Sequence, residues 1–160
     1  MTAAKPRVVC ISQARMTSTR LPGKVLMEAA GKPLLAHHLG RLSRCRRLDG
    51  LVLATTVNAA DDPVAALGES LGVRVFRGDE HDVLSRFAGA AALAQADVIV
   101  RVTADCPLID PVLVDRAVAA FLDSDPPVDY LGIDVTRFPR GLDAELGMLA
   151  PDGVLFVPVD

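Results

Sequence analysis

The chain has 160 residues, 51% of them hydrophobic and 23% charged, which is typical of one globular domain and unlike a disordered chain. It contains no tryptophan, one tyrosine and no apolar run long enough to cross a bilayer, which argues against a stacking platform for nucleic acid and against a membrane span. The net charge of −3 is unevenly distributed along the chain. Residues 1–47 carry ten Lys or Arg and one acidic residue, whereas residues 48–160 carry seven Arg and nineteen acidic residues. This pattern favours an anionic ligand accompanied by a cation.

Short apolar runs alternate with helical patterns along most of the chain. Strands are predicted over residues 8–11, 51–54, 73–76, 98–102 and 128–131. Helices are predicted to begin at Pro33, at Pro63 behind an N-cap at Asp62, at Val83, and at Pro111 behind an N-cap at Asp110. Near the end, residues 146–149 and 154–157 flank the turn sequence Pro151-Asp152-Gly153 and predict a hairpin.

This alternation, with several continuously apolar strands, indicates an α/β fold in which crossover helices bury a mostly parallel central sheet on both faces. We expect residues 1–160 to form a single domain. Such a sheet binds ligands beyond the carboxyl ends of its strands, where the strand order reverses. The loops after the first and fourth strands are therefore predicted to hold the site.

The loop of residues 12–24 is rich in small, hydroxyl and basic residues. Backbone N–H groups and the side chains of Arg15, Arg20 and Lys24 are the kinds of donor that bind phosphate oxygens. The loop matches neither GxxxxGK[ST] nor GxGxxG. The sequence thus predicts a phosphate-binding loop of another kind, with an ordinary surface loop as the alternative.

Asp105 directly follows the fourth predicted strand, so its carboxylate is expected at a rigid strand end. Magnesium prefers hard oxygen ligands, usually one or two carboxylates with substrate phosphates and water, and Asp105 is the first candidate for such a ligand. Asp110, just before a proline, is more simply a helix cap. His37 and His38 lie on an apolar helix and are interpreted as core-edge residues rather than metal ligands.

Four segments of the chain resemble one enzyme family. The segment Gln-Ala-Arg-Met-Thr-Ser-Thr-Arg-Leu-Pro-Gly-Lys at 13–24 is similar to the signature of cytidylyltransferases that activate keto-deoxy sugar acids, in particular the branch named for a spore coat polysaccharide biosynthesis protein. CMP-KDO and acylneuraminate cytidylyltransferases are related to it. The resemblance covers about residues 7–145 and continues, in the same order, in Arg77-Gly78 with Asp82-Val83-Leu84, in residues 101–110, and in residues 138–143.

The resemblance implies a Rossmann-like nucleotidyltransferase domain of the GT-A type that transfers CMP from CTP to a sugar or sugar acid for surface polysaccharide biosynthesis. It implies that Arg15, Arg20 and Lys24 contact the CTP phosphates, that the Ala14 backbone lies near the base, and that Asp105 carries magnesium. Lys24, Arg20 and Asp105 are then the catalytic residues.

Other assignments have local alternatives. Asp82 and Arg86, four residues apart on a predicted helix, are either a helix-start charge pair or residues beside the nucleoside, as the resemblance implies. Arg140 and Asp143 are candidates to face the acceptor sugar, Arg140 through a sugar carboxylate and Asp143 as a sugar contact or second metal ligand.

The sequence departs from the family pattern in three places. Thr17 and Ala104 stand where members usually have glycine. Members also continue past residue 160 with a dimerisation and sugar-binding arm, so we expect a shortened C-terminus, with a homodimer possible.

We expect a cytoplasmic protein, because the three cysteines form no CxxC pair and residues 1–9 lack a secretory signal. A nucleotidyltransferase of other base or acceptor specificity, or a nucleotide-binding module without turnover, remains an alternative.

Overall fold

The computed structural model describes residues 5–18, 20–132 and the backbone of residues 155–158. Apart from two short strands, Glu28–Ala29 and Lys32–Pro33, the strands and helices follow one another in the order predicted from the apolar pattern. They are β1 (Val8–Gln13), β2 (Glu28–Ala29), β3 (Lys32–Pro33), α1 (Leu34–Leu42), β4 (Gly50–Thr56), α2 (Asp62–Ser70), β5 (Arg74–Gly78), α3 (Val83–Ala94), β6 (Val98–Thr103), α4 (Pro111–Leu122), β7 (Leu131–Gly132) and β8 (Leu155–Pro158).

The main sheet has six strands in the order β5-β4-β1-β6-β8-β7. Strands β5, β4, β1 and β6 are parallel to one another, whereas β8 is antiparallel to both β6 and β7. The chain moves from β1 outward through β4 to β5 and then returns to the other side of β1 to form β6. The strand order therefore reverses between β1 and β6, which is where an α/β sheet opens a crevice for ligands.

Helices cover both faces of the parallel strands. Alternate residues of β1 face opposite sides, so that Val9 and Ile11 pack in one apolar cluster with α3 while Val8 and Cys10 pack in another with α4. Helices α1 and α2 contribute to a third cluster, which also contains Ala14 and Ala104 from the two predicted site loops. The α/β class with a mostly parallel sheet is confirmed, and the beginnings of both site loops are anchored in the core.

The predicted helix starts are confirmed within one residue, and one of the two predicted caps is wrong. Asp110 caps α4 by accepting a hydrogen bond from Val112 N at 2.8 Å. Asp62, predicted as the cap of α2, is instead its first residue, and Asp61 occupies the capping position without a side-chain cap. The reason is that Asp61 bonds to other segments, while Asp62 pairs with Arg77 at 2.7 Å.

The predicted C-terminal hairpin is not confirmed. Its second strand corresponds to β8, but β8 lies between β6 and β7 in the sheet, and its first strand, residues 146–149, lies outside the described residues. The strands β2 and β3 were not predicted, because each has only two residues, too few to show an apolar pattern. They are joined by a tight turn in which Ala30 and Gly31 both have positive φ. Among the described residues, no helix is both long and apolar enough to cross a membrane.

Candidate functional site

A cavity of about 220 Å³ opens at the reversal of strand order, beyond the carboxyl ends of β1 and β6. Three basic residues predicted to bind phosphate and the predicted metal ligand all contribute to its wall. The lining residues are Gln13, Ala14, Arg15, Ser18, Arg20, Lys24, Val25, Thr103, Ala104 and Asp105. The structure thus brings together the two loops that the sequence separates by some eighty residues.

The two loops leave the sheet at the same level. Gln13 and Thr103 are register partners at the ends of β1 and β6, and Ala104 N donates to Gln13 O at 2.9 Å. Ala14 N donates to Ala54 O at 3.1 Å, so this N–H is used within the fold, and a contact of the Ala14 backbone with a base stays a prediction. These bonds fix the backbone on both sides of the cavity.

Lys24 is held by a short turn rather than by a flexible loop. Gly23 adopts φ 71°, a left-handed conformation that suits glycine, and its N–H donates to Met16 O at 2.9 Å. The next three residues, Lys24–Leu26, form one turn of 3-10 helix, in which Val25 is buried in the core. The buried Val25 fixes the position from which the Lys24 side chain extends into the cavity.

The Lys24 ammonium and the Asp105 carboxylate form an ion pair across the cavity, with Nζ to Oδ2 at 2.7 Å. Partial burial alone would raise the pKa of Asp105. The hydrogen bonds from Lys24 and Thr103, together with the charge of Lys24, outweigh that effect and hold this pKa below its ordinary value. Asp105 is therefore an anion that pairs with a lysine, and its role as a metal ligand stays a prediction.

The buried carboxylate of Asp61 holds the first loop in place, a role that was not predicted from the sequence. It is 1% exposed, accepts from Met16 N at 2.7 Å through Oδ1, and accepts from the Thr56 hydroxyl through Oδ2. The carboxylate thus connects the end of β4 to the residue that follows Arg15. Its only signal in the sequence is the pair Asp61-Asp62 before Pro63, which local reasoning treats as helix capping.

Glu80 is a second residue that sequence reasoning missed. Its carboxylate accepts from Thr17 Oγ1 at 2.6 Å and from Asn58 Nδ2 at 2.5 Å, and it lies 3.8 Å from Arg15 Nη1. The hydrogen bonds from Thr17 and Asn58 lower the pKa of Glu80, so it is an anion at neutral pH. Glu80 therefore holds Arg15 and Thr17 in place beside the cavity.

The structure corrects the predicted charge pair between Asp82 and Arg86. The Asp82 side chain caps α3 by accepting from Ser85 N at 2.8 Å, whereas Arg86 Nη1 donates to the carbonyls of Asp79 and Glu80. Arg86 is 1% exposed, and its Nε and Nη2 have no hydrogen-bond partner in the part of the chain that the structure describes. Burial, followed by the nearby charge of Arg15, lowers the pKa of Arg86. A role for both residues beside the nucleoside stays a prediction.

His38 is fully buried beneath the second loop. Its Nε2 lies 2.9 Å from Ser12 Oγ in β1, and its Nδ1 lies 2.8 Å from the Cys106 carbonyl oxygen, one residue after Asp105. Burial is the main reason that the pKa of His38 is lowered, so the ring is neutral at physiological pH. The prediction that the histidines are not metal ligands agrees with these contacts, since His37 likewise bonds a carbonyl, that of Ala29, at 2.7 Å.

The donor set of the cavity fits a hard divalent cation that arrives with a polyphosphate. The described residues hold no cluster of three or more His, Cys, Asp or Glu side chains able to chelate a metal. Magnesium commonly takes one or two carboxylates and completes its shell with phosphate oxygens and water, and Asp105 supplies such a carboxylate. The predicted second ligand, Asp143, and the predicted sugar contact Arg140 lie outside the described residues.

Both departures from glycine are accommodated. Ala104 is 2% exposed, packs in the core and has no positive φ, so its methyl group needs no backbone strain. The Thr17 hydroxyl provides the hydrogen bond to Glu80 that a glycine could not make.

Comparison with known proteins gives consistent results. A sequence model of the family described as cytidylyltransferase matches residues 9–145. An uncharacterized protein of Methanocaldococcus jannaschii is 41% identical over 140 residues, which are 88% of this chain and 56% of that protein. The spore coat polysaccharide biosynthesis protein SpsF of Bacillus subtilis is 38% identical over 143 residues, 87% of this chain and 58% of that protein.

Further similarities extend to sugar-acid enzymes and to a solved structure. The 3-deoxy-manno-octulosonate cytidylyltransferase of Geobacter sulfurreducens is 36% identical over 119 residues, 73% of this chain and 46% of that protein. The structure of a cytidylyltransferase from Leptospira borgpetersenii superposes with a TM-score of 0.83 at 32% identity, covering 96% of this chain and 61% of that one. The chain spans about half the length of the curated relatives it matches.

Proposed function

This chain belongs to the cytidylyltransferase family, and we propose that it transfers CMP from CTP to a hydroxyl group of a sugar or sugar acid, with release of pyrophosphate. The observation that carries the proposal is the cavity between β1 and β6, where Arg15, Arg20 and Lys24 face one carboxylate, that of Asp105. Three cations suit a triphosphate, and one carboxylate suits the cation that accompanies it.

In the proposed reaction, an acceptor hydroxyl attacks the α-phosphorus of CTP, and the bond from that phosphorus to the bridging oxygen breaks. The hydroxyl proton passes to solvent. Negative charge grows on the departing pyrophosphate, where Lys24, Arg15 and Arg20 stabilise it. The hydrogen bonds that hold the loop, from Asp61 to Met16 and from Thr17 to Glu80, keep these cations in place before the substrate binds.

Asp105 would hold the divalent cation at the phosphates. A bound Mg²⁺ supplies positive charge to phosphate oxygens and lowers the pKa of a hydroxyl that it coordinates. Asp105 is suited to this role because it is ionised, lies 27% exposed at a strand end, and is within reach of the cations that contact the phosphates. Lys24 must leave Asp105 for both to act.

For the acceptor we propose a sugar acid for surface polysaccharide synthesis, because one relative is a spore coat polysaccharide biosynthesis protein and another acts on 3-deoxy-manno-octulosonate. Arg140 would pair with the acid group, and Asp143 would contact the sugar or the metal. We further propose that the enzyme works in the cytoplasm, in keeping with a sequence that has three cysteines and no CxxC pair, and as a homodimer, as the resemblance to the family implies.

The test is release of pyrophosphate with Mg²⁺, across CTP, UTP, ATP and GTP and a panel of keto-deoxy sugar acids and neutral sugars. Turnover with CTP and a sugar acid is expected. Turnover with another base would replace the cytidine assignment while retaining the nucleotidyltransferase chemistry.

The alternative function is binding of CTP in the same cavity without transfer of CMP. Binding of CTP with Mg²⁺ in the absence of pyrophosphate release, for every acceptor tested, would favour this binding module over the transferase.

A further inference from the structure

Helix α1 holds the loop that follows Asp105 at two points. His38 Nδ1 lies 2.8 Å from the Cys106 carbonyl oxygen, and Arg41 Nε donates to the Ile109 carbonyl oxygen at 2.6 Å. The two side chains are three residues apart and therefore lie on one face of the helix. The loop that carries Asp105 is thus fixed to α1 as well as to the end of β6.

The protonation of the His38 ring follows from its partners. A carbonyl oxygen can only accept, so Nδ1 carries the hydrogen that is donated to Cys106. In the neutral ring Nε2 is then an acceptor, and the Ser12 hydroxyl at 2.9 Å donates to it. The imidazole therefore connects the middle of the sheet, at β1, to the residue that follows the candidate metal ligand.

We propose that His38 is a positioning residue, which orients the Asp105 carboxylate for the divalent cation by fixing the Cys106 carbonyl to Ser12 of β1. The proposal rests on the proposed function, because it assumes that Asp105 holds a cation. His38 is not among the residues that line the cavity, so it acts only through the backbone of the loop. Groups that orient a metal ligand in this way typically influence metal affinity by about ten- to a hundredfold.

The chain provides a matched control on the same helix. His37, the preceding residue, also bonds a carbonyl oxygen, that of Ala29 at 2.7 Å, but this contact lies in the β2–β3 hairpin. His37→Leu and His38→Leu each remove one histidine and its bond to a carbonyl. Only the second releases the loop of Asp105, so a general effect of losing such a bond can be separated from the positioning effect.

The measurement is the affinity for CTP with and without Mn²⁺, by calorimetry on the folded full chain. In the wild type Mn²⁺ is expected to tighten CTP binding. His38→Leu is expected to reduce that gain by about tenfold and to change metal-free CTP binding by less than about twofold. His37→Leu should keep the whole gain. His38→Asn should recover most of it, because the asparagine amide can donate to Cys106 from about the position of Nδ1.

Two further measurements test the proposal even if His38→Leu does not fold. Ser12→Ala removes only the contact at β1 and should reduce the gain by about threefold. In the wild type, ¹⁵N NMR of the histidine ring should show hydrogen on Nδ1 and none on Nε2. Three results would overturn the inference. The first is a His38 ring with hydrogen on Nε2 alone. The others are a wild-type gain in CTP affinity from Mn²⁺ in Ser12→Ala or in folded His38→Leu, and a loss of that gain in His37→Leu equal to the loss in His38→Leu. A wild type that gains nothing from Mn²⁺ overturns the proposed function as well, which distinguishes the two failures.

Discussion

Removing the Lys24 ammonium is expected to have opposite effects on the affinities for the two proposed ligands, raising the affinity for a divalent cation and lowering the affinity for CTP. Lys24 neutralises Asp105, with Nζ to Oδ2 at 2.7 Å. Lys24→Met keeps the length of the side chain and removes the ammonium. It therefore frees Asp105 for the divalent cation that we propose it binds and, at the same time, removes the proposed contact of Lys24 to the CTP phosphates.

The size of both effects follows from the geometry of the pair. A hydrogen bond between charged groups contributes about 1.5–3 kcal/mol, and because both side chains are about a quarter exposed, at 25% and 27%, solvent screening places this pair near the lower limit. Since about 1.4 kcal/mol corresponds to a factor of ten, Mn²⁺ should bind Lys24→Met about tenfold more tightly than the wild type when no nucleotide is present. Metal-free CTP should bind about tenfold more weakly or worse.

The assay is a titration of Mn²⁺ followed by electron paramagnetic resonance, with CTP binding in EDTA measured separately. Lys32→Met is the control, because Lys32 is an exposed lysine of β3 that is not part of the cavity. The gain in Mn²⁺ affinity should disappear when Asp105→Asn is added to Lys24→Met. An unchanged or weaker Mn²⁺ affinity in Lys24→Met would refute the view that Lys24 and the cation compete for Asp105.

Three other outcomes are expected. CTP with Mg²⁺ should raise the thermal stability more than ATP or GTP does, with about 2.7 kcal/mol at a hundredfold excess over Kd; equal shifts for all nucleotides in a melting assay would contradict the assignment of the base. Asp105→Asn should fold and bind metal-free CTP but lose the gain from Mg²⁺ and any release of pyrophosphate; a wild-type gain in calorimetry would direct attention to Asp143. The pKa of Asp105 is lowered in the folded state, so its ion pair stabilises the protein above the unfolded-state pKa and this contribution is lost as the pH falls through the folded-state pKa. The difference in unfolding free energy between the wild type and Asp105→Asn should therefore shrink between about pH 5 and pH 3, and a constant difference in urea titrations would contradict the ion pair.

Much of the fold and the basic side of the cavity could be predicted because both depend on local sequence. Apolar runs determine the strands, and the loops after β1 and β6 meet in space because the carboxyl ends of parallel strands lie at one edge. Arg15, Lys24 and Asp105 were predicted from that rule together with the chemistry of their side chains, and the structure places all three around one cavity.

The supporting carboxylates could not be predicted, because their roles depend on contacts between distant segments. Asp61 bonds the backbone of Met16, 45 residues earlier, and Glu80 bonds Thr17, 63 residues earlier. In sequence, Asp61 resembles a helix cap, and the neighbouring Asp62 was mistaken for that cap because either aspartate precedes a proline-led helix equally well. No local pattern distinguishes a capping carboxylate from one that bonds a remote loop.

The pairing of charges in the cavity gives a physical reason for selecting a nucleotide together with a cation. Lys24 is paired with Asp105, and Arg15 lies near Glu80, so two of the three basic side chains of the cavity face a carboxylate of the protein itself. A free anion has to compete with Asp105 for Lys24, and a free cation has to compete with Lys24 for Asp105. A ligand that brings both charges offsets both losses at once, which favours a metal–triphosphate complex over inorganic anions such as sulfate.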